Sequence, residues 1–240
     1  MLSKIKLNKS CECDVFVIGA GIAGVMAAIQ ASQKGASVII ASSANILSGS
    51  SFYPGTWGLG LIGPENKEDE KDLARTIKEV GCDVVDENLV QTFVSNIQKG
   101  IQLIKSMNIK LKEADNKGQK EFIPCFDHKA RNWNGILFDS AKEVFSNKLN
   151  GENIKTLPFS EVIEIIKDGE KVIGVVLINE YKKLEFIKCK AIVIATGGIG
   201  GLFKYRLNTN DITGMGQALA LKSGCKLVNI ELDRKSTRLN

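Results

Sequence analysis

The chain has 240 residues, with 44% hydrophobic and 25% charged side chains. This balance excludes a mostly disordered chain, provides for a core without disulfides, and allows one to two domains at about 150 residues each. A mean hydropathy of -0.01 without an apolar run of about 18 residues predicts no transmembrane segment, and a net charge of +5 without a dense basic stripe predicts no nucleic acid partner.

The first ten residues are polar and lysine-bearing, with no apolar core for a signal peptide. A cytoplasmic location with reduced thiols is therefore expected. Asp14 to Ile18 (DVFVI) reads as a buried strand, Gly19 to Gly24 as a glycine turn, and Ile22 to Lys34 as a helix of small residues ended by Gly35. Ser37 to Ala41 (SVIIA) is a second buried strand. These pieces form a βαβ unit, and their unbroken apolar strands predict a parallel sheet covered on both faces.

Ser42 to Gly63, rich in Gly, Ser, Asn and Pro, reads as a long functional loop. Amphipathic helices are predicted over about Glu68 to Val80 and Glu87 to Met107. Lys110 to Pro124 reads as a polar excursion with a short strand at Phe122, and Ile136 to Asn147 as a further helix. Strands follow at Val162 to Ile166, Val172 to Ile178 and Leu184 to Lys188, with turns at Asp168-Gly169 and Lys182-Lys183. Ala191 to Ala195 is another buried strand, running into Thr196-Gly197-Gly198, and Gly214 to Ser223 reads as a helix.

The chemistry is concentrated in Gly19-Ala20-Gly21-Ile22-Ala23-Gly24, a G-x-G-x-x-G between a strand and a helix, the context that makes it a dinucleotide fingerprint. Gly19 makes the turn, Gly21 lets a diphosphate approach the backbone, and Gly24 lets helix pack on strand. The helix start offers N–H groups and positive dipole to the phosphates. The acid that the fingerprint places after the second strand is replaced by Ala41, Ser42 and Ser43, of which Ser42 can still bond a hydroxyl.

Other features read as structural. Cys189 and Cys225 sit in apolar stretches and are expected in the core. One histidine, His128, and no second close cysteine pair beside Cys11 and Cys13 predict no metal site and no Ser/His/Asp triad. The acidic run Glu65 to Asp72 reads as a solvated helix start.

The stretches DVFVIGAGIAGVMAA, GSSFYPGTWGLG, the helical block from Asp72 to Ile104, and ATGGIGGLFKYRLNTNDITGMGQALALKSGCKLVNIE resemble the FAD-binding domain of the fumarate reductase and succinate dehydrogenase flavoproteins. Within that family the L-aspartate oxidase branch is most similar. The resemblance implies a Rossmann-like α/β domain with a parallel sheet, a β-meander crossover and inserted helices. It covers residues 13–231, and the capping domain of the family is missing. Carried over by position, it implies FAD at Gly19 to Gly24, the adenosine ribose at Ser42 and Ser43, and the flavin side at Ser50, Ser51, Phe52, Tyr53, Gly55, Thr56 and Trp57. It also implies adenine at the backbone of Val162, and passage of Ala195, Thr196 and Gly197 beside the cofactor. Ser50 stands where respiratory members carry a flavin-linking histidine, so noncovalent FAD is implied.

The family's Gly-Asp-Gly turn is Gly214-Met215-Gly216 here, and Thr56-Trp57 replaces a glycine pair. The segment 232–240 matches nothing in the family and is expected to be a non-native or disordered tail. The resemblance implies an FAD-dependent oxidoreductase that turns L-aspartate into iminoaspartate for NAD biosynthesis, present as an N-terminal fragment that is itself inactive. The family's dicarboxylate-clamping residues lie in the missing parts, and no catalytic residue is assigned here. The alternatives are a fumarate reductase or succinate dehydrogenase type flavoprotein, or a noncatalytic FAD-binding fragment.

Overall fold

The computed structural model describes residues 8–53, 59–112, 120–122, 127–151, 153–204 and 209–230. In chain order its elements are β1 (Asn8–Ile18), α1 (Ile22–Gln33), β2 (Val38–Ala41), β3 (Leu59–Gly63), α2 (Lys67–Val80), α3 (Glu87–Ser106), β4 (Leu111–Lys112), β5 (Lys120–Phe122), β6 (Ala130–Ile136), α4 (Phe138–Leu149), β7 (Ile154–Leu157), β8 (Glu161–Asp168), β9 (Lys171–Ile178), β10 (Leu184–Ile194) and α5 (Met215–Lys222). They fall into two compact units. One holds the described residues up to Tyr53 and from Phe145 on; the other holds Leu59 to Val144.

The first unit is built on a six-stranded sheet in the order β7-β2-β1-β10-β9-β8. β1 runs parallel to β2 on one side and to β10 on the other, and β2 runs parallel to β7. β9 and β8 then turn antiparallel. Phe16, Val17 and Ile18 and all four residues of β2 are buried, which is why these strands are unbroken apolar runs. Phe16, Ile18, Ile39 and Ala41 share one core with Val162, Val175, Leu177 and Ile187 from the antiparallel strands. α1 stops because Gly35 takes φ +86°, and its N–H bonds the Ser32 carbonyl at 2.9 Å.

Two expectations for this sheet are corrected. Leu184 to Lys188 and Ala191 to Ala195 are one continuous strand. Lys188 and Lys190 look like a break but are its solvent face, flanking the buried Cys189, and they pair with Glu12 at 3.6 Å and Asp14 at 2.6 Å on β1. Cys189 is buried as expected, whereas Cys225 is exposed because it follows the last turn of α5. Burial pushes the Cys13 thiol up to about 12 and that of its register partner Cys189 to about 11.

The second unit pairs β3, β4 and β5 antiparallel with β6. β3 corrects the loop reading of Ser42 to Gly63 over its last five residues. A Cβ on Gly63 would stand 2.7 Å from Ile97, so glycine lets α3 lie close on the strand. α2 and α3 pack through Leu73, Ala74, Val94, Ile77, Val90 and Ile97, and are capped by the side chains of Asn66 and Asp86.

The acidic run is not simply solvated. Arg131, fully buried on β6, donates to Asp69 at 2.5 Å, to Asp72 at 2.9 Å and to Asp127 at 2.6 Å. Lys129 adds a cation at 2.5 Å from Asp69. Burial works to raise the Asp72 carboxyl, but hydrogen bonds from Arg131 and Lys129 outweigh it and bring it down to about 2. The same partners hold Asp69 below its ordinary range against its own burial. His128, half-exposed, sits against this cluster with Nδ1 3.2 Å from Thr76 Oγ1 and Nε2 3.3 Å from Asp72.

Arg131→Met leaves three carboxylates without their buried partner and is expected to cost about 3–5 kcal/mol in a denaturant titration. Because the folded values of Asp72 and Asp69 lie below the unfolded one, their contribution is complete above the ordinary carboxylate value of 3.8 and is lost as pH falls toward 2. Thermal melts of the wild type should therefore drop over that window, and Asp72→Asn should flatten the drop. In native protein a thiol reagent should label the exposed Cys82 and Cys225 at once and reach Cys13 and Cys189 only after unfolding.

Candidate functional site

Three strand ends set the site. Leaving β1, the chain turns at Gly19 with φ +104°, and the Gly19 N–H bonds the Ala41 carbonyl at the end of β2 at 2.8 Å. On the other side a Cβ on Gly19 would lie 2.4 Å from the Ala195 carbonyl oxygen, just after β10. A Cβ on Gly24 would lie 1.8 Å from the Gly19 carbonyl oxygen. Both glycines are thus demanded by the protein's own packing.

Gly21 differs. Its backbone is extended, and a Cβ there would meet nothing closer than Ser51 Oγ at 3.5 Å. Gly21 is also the N-cap of α1 and has no side chain to cap it, and no acid stands in the first turn. Ser51 Oγ accepts the Ile22 N–H at 3.3 Å. The helix start therefore faces open space with N–H groups and positive dipole, which suits a diphosphate.

That space is a cleft of about 270 Å³ whose lining belongs to the first unit. Of the residues singled out by sequence, Gly19, Ala20, Gly21, Ile22, Ala23, Ser42, Ser43, Ser50, Ser51, Val162, Ala195, Thr196 and Gly197 are brought together in its walls. Gly24 lies behind them against Gly19 and Ala195. Phe52 is buried, edge-on to Phe145 at 6.2 Å, and Tyr53 is exposed outside the lining. Gly55, Thr56 and Trp57 lie outside the described residues.

Ser42 is buried and committed to its own turn: its hydroxyl takes the Ala44 N–H and donates to the Asn45 carbonyl, both at 3.2 Å. Ser43 beside it is exposed. The Ser160 N–H bonds the Ser42 carbonyl at 2.7 Å, which carries Glu161 and Val162 to this end of the cleft. At the other end Ser50 Oγ lies 3.4 Å from Thr209 Oγ1, and Gly214 and Met215 begin α5. Gly216 presses on Thr196, where a Cβ would stand 1.9 Å from Oγ1. Sequence reasoning missed Asp211, which lines the cleft with its Oδ1 buried and without a hydrogen-bond partner among the described residues.

A second cavity, of about 260 Å³, lies in the other unit and is lined by Glu65, Glu68, Asp69 and Asp72 beside Lys129. Its carboxylates would repel a phosphate, so the glycine-lined cleft is the candidate site.

A family model described as FAD binding domain matches residues 14–234. The chain belongs to that FAD binding domain family. FAD is its cofactor, and the open face of Gly21 and the start of α1, with no acid in its first turn, fit such a group. The chain is 26% identical over 244 residues to an L-aspartate oxidase of Vibrio cholerae, matching 95% of this chain and 45% of that protein. It is 28% identical over 238 residues to an NADH:fumarate oxidoreductase of Klebsiella pneumoniae, matching 90% of this chain and 25% of that one. The chain thus spans less than half the length of either relative. A solved E. coli quinol fumarate reductase FrdA carrying an E245Q mutation superposes with a TM-score of 0.77 at 22% identity, over 90% of this chain and 37% of that one, which speaks to the fold. None of the helices among the described residues is long and apolar enough to cross a membrane.

Gly21→Ala is expected to leave the melting of the cofactor-free protein within about 0.5 kcal/mol while weakening FAD binding roughly tenfold or more. Gly24→Ala should do the opposite and cost at least about 2 kcal/mol of stability. Melting curves and flavin-fluorescence titrations of the two variants separate these outcomes.

Proposed function

We propose that this chain is the FAD-holding part of an L-aspartate oxidase type enzyme, which converts L-aspartate to iminoaspartate for NAD biosynthesis. The observation that carries the reading is the cleft over the end of β1, where Gly21 is glycine for no reason of packing and an uncapped helix start faces the gap. In this reading the N–H groups of α1 hold the diphosphate. Ser43, Ser160, Glu161 and Val162 border the adenosine half, and Ser50, Ser51, Thr196 and Gly197 border the flavin half.

Bound there, FAD supplies an acceptor for the two electrons that leave the substrate with the Cα hydrogen. The chain's own residues bind the cofactor, orient it and keep one side of it dry. FAD is held without a covalent bond. The only histidine of the sequence, His128, belongs to the second unit, and Ser50 shares its hydroxyl with Thr209. A dicarboxylate needs fixed cations, yet Arg75 and Arg131, the two arginines among the described residues, are both engaged by carboxylates. The clamp on the substrate therefore comes from elsewhere than these two side chains.

The 28% identity to an NADH:fumarate oxidoreductase favours, as the second reading, a flavoprotein acting on fumarate or succinate. The purified chain should bind FAD, gain melting temperature with it, and release all of it into the supernatant on acid precipitation. In the longest reading frame containing this chain, anaerobic L-aspartate should bleach the flavin. Bleaching by succinate with none by L-aspartate would establish the second reading instead, and flavin left on the precipitated protein would overturn noncovalent binding.

A further inference from the structure

The sequence holds two Asn-Gly pairs, Asn134-Gly135 and Asn150-Gly151, and the fold places them very differently. Asparagine before glycine carries a chemistry of its own. The backbone nitrogen of the second residue can attack the side-chain amide carbon of the first. Glycine has no side chain to shield that nitrogen or to restrict the rotation that brings it into line. In a folded chain two conditions decide the outcome: the nitrogen must not be firmly hydrogen-bonded, and the backbone around it must be free to turn.

Asn134-Gly135 meets neither condition. Both residues lie in β6, which pairs with β3 on one side and with β4 on the other. Gly135 stands opposite Gly60 on β3 and Lys112 on β4, and it is buried. A Cβ on Gly135 would lie 2.1 Å from the Trp133 ring, so that ring covers the backbone here. Rotation at this pair requires the sheet to open.

Asn150-Gly151 meets both. Asn150 is the first residue after α4, and both residues are exposed and outside any strand. The Asn150 N–H still bonds the Ser146 carbonyl at 3.1 Å, but the Gly151 N–H reaches the Lys148 carbonyl only at 3.3 Å, longer than an ordinary N–H···O bond. A solvated helix end of this kind opens at little cost.

We propose that Asn150 is a site of spontaneous covalent modification, deamidation through a succinimide, with hydroxide and water as its only co-reactants. Hydroxide removes the proton of the Gly151 nitrogen, the nitrogen bonds to Asn150 Cγ, and the Cγ–Nδ2 bond breaks with release of ammonia. Water then opens the ring at either carbonyl, leaving aspartate or isoaspartate at position 150. Both products put a new carboxylate at the carbonyl end of α4, where the helix dipole disfavours an anion. The isoaspartyl form also adds a methylene to the main chain just ahead of β7, the edge strand paired with β2.

The test holds the full chain in warm, mildly alkaline buffer, folded and in urea, and follows its peptides by fragment-resolved mass spectrometry. The Asn150 peptide should gain about one mass unit and split into two chromatographic forms, faster as pH rises because the attacking nitrogen must lose its proton. Its rate in the folded protein should lie within about tenfold of its rate in urea, whereas folding should slow Asn134 about a hundredfold or more. Asn150→Gln should abolish the gain and leave the melting curve unchanged. Gly151→Ala should slow it, since a Cβ there lies 3.2 Å from the Lys148 carbonyl oxygen and shields the nitrogen. An Asn150 that reacts in urea but not in the folded protein would overturn the proposal, and so would equal folded-state rates at Asn134 and Asn150. A gain that survives Asn150→Gln would belong to Asn147 or Asn153 and would overturn it as well.

Discussion

At the end of β1 three backbones meet within hydrogen-bonding and contact distance. The Gly19 N–H is held by the Ala41 carbonyl, the Ala195 N–H is held by the Ile18 carbonyl at 2.8 Å, and the missing Cβ of Gly19 leaves room for the Ala195 carbonyl. This close approach puts β2, β1 and β10 in one plane with their ends level. A side chain larger than hydrogen at position 19 would push β10 away, and Thr196, Gly197 and the start of α5 with it. Gly24 transmits the same constraint to α1, since its own missing Cβ lets the helix start settle against Gly19. The cleft is a by-product of backbone atoms packed closer than side chains would permit.

The two units treat buried charge in opposite ways. In the second unit Arg131 meets three carboxylates, and Lys129 adds a further cation, so the cluster is internally matched. Its function is to hold β6 against α2, in a place where apolar residues would serve as well for stability. In the first unit the start of α1 at the cleft is left largely open: Gly21 offers no side chain, no acid stands in the first turn, and Ser51 Oγ alone meets the Ile22 N–H. Helices α2 and α3 show that this sequence caps helix starts with Asn or Asp elsewhere. A matched cluster stabilises a fold by itself; an unmatched set is complete only with something bound.

The βαβ unit was legible because its signals are local. Strand, glycine turn, small-residue helix and C-terminal Gly35 all lie within Asp14 to Ala41; α1 and β2 fall within a residue or two of their expected places, whereas β1 begins at Asn8, six residues before the expected Asp14. The helices α2, α3 and α5 were legible from periodicity. What escaped depends on partners far along the chain. β6 hides because its inward side includes Arg131, which reads as a surface residue until Asp69 and Asp72, about sixty positions earlier, are brought to it. β7 is four residues long and becomes a strand only by lying beside β2. Lys188 and Lys190 looked like a break until Glu12 and Asp14 stood opposite. At the cleft, the glycines and serines carried a recognisable spacing, whereas Asp211 joins the lining only through the fold.

β1 occupies the middle of its sheet, yet its neighbour β10 spans Leu184–Ile194, and their register joins Asn8 to Glu185 and Ile18 to Ile194. A growing polypeptide therefore exposes the first crossover long before the ribosome has made the strand that completes it. Until then one edge of β1 is bare and apolar, open to wrong pairing. The cleft over the end of β1 is accordingly incomplete until β10 has been made.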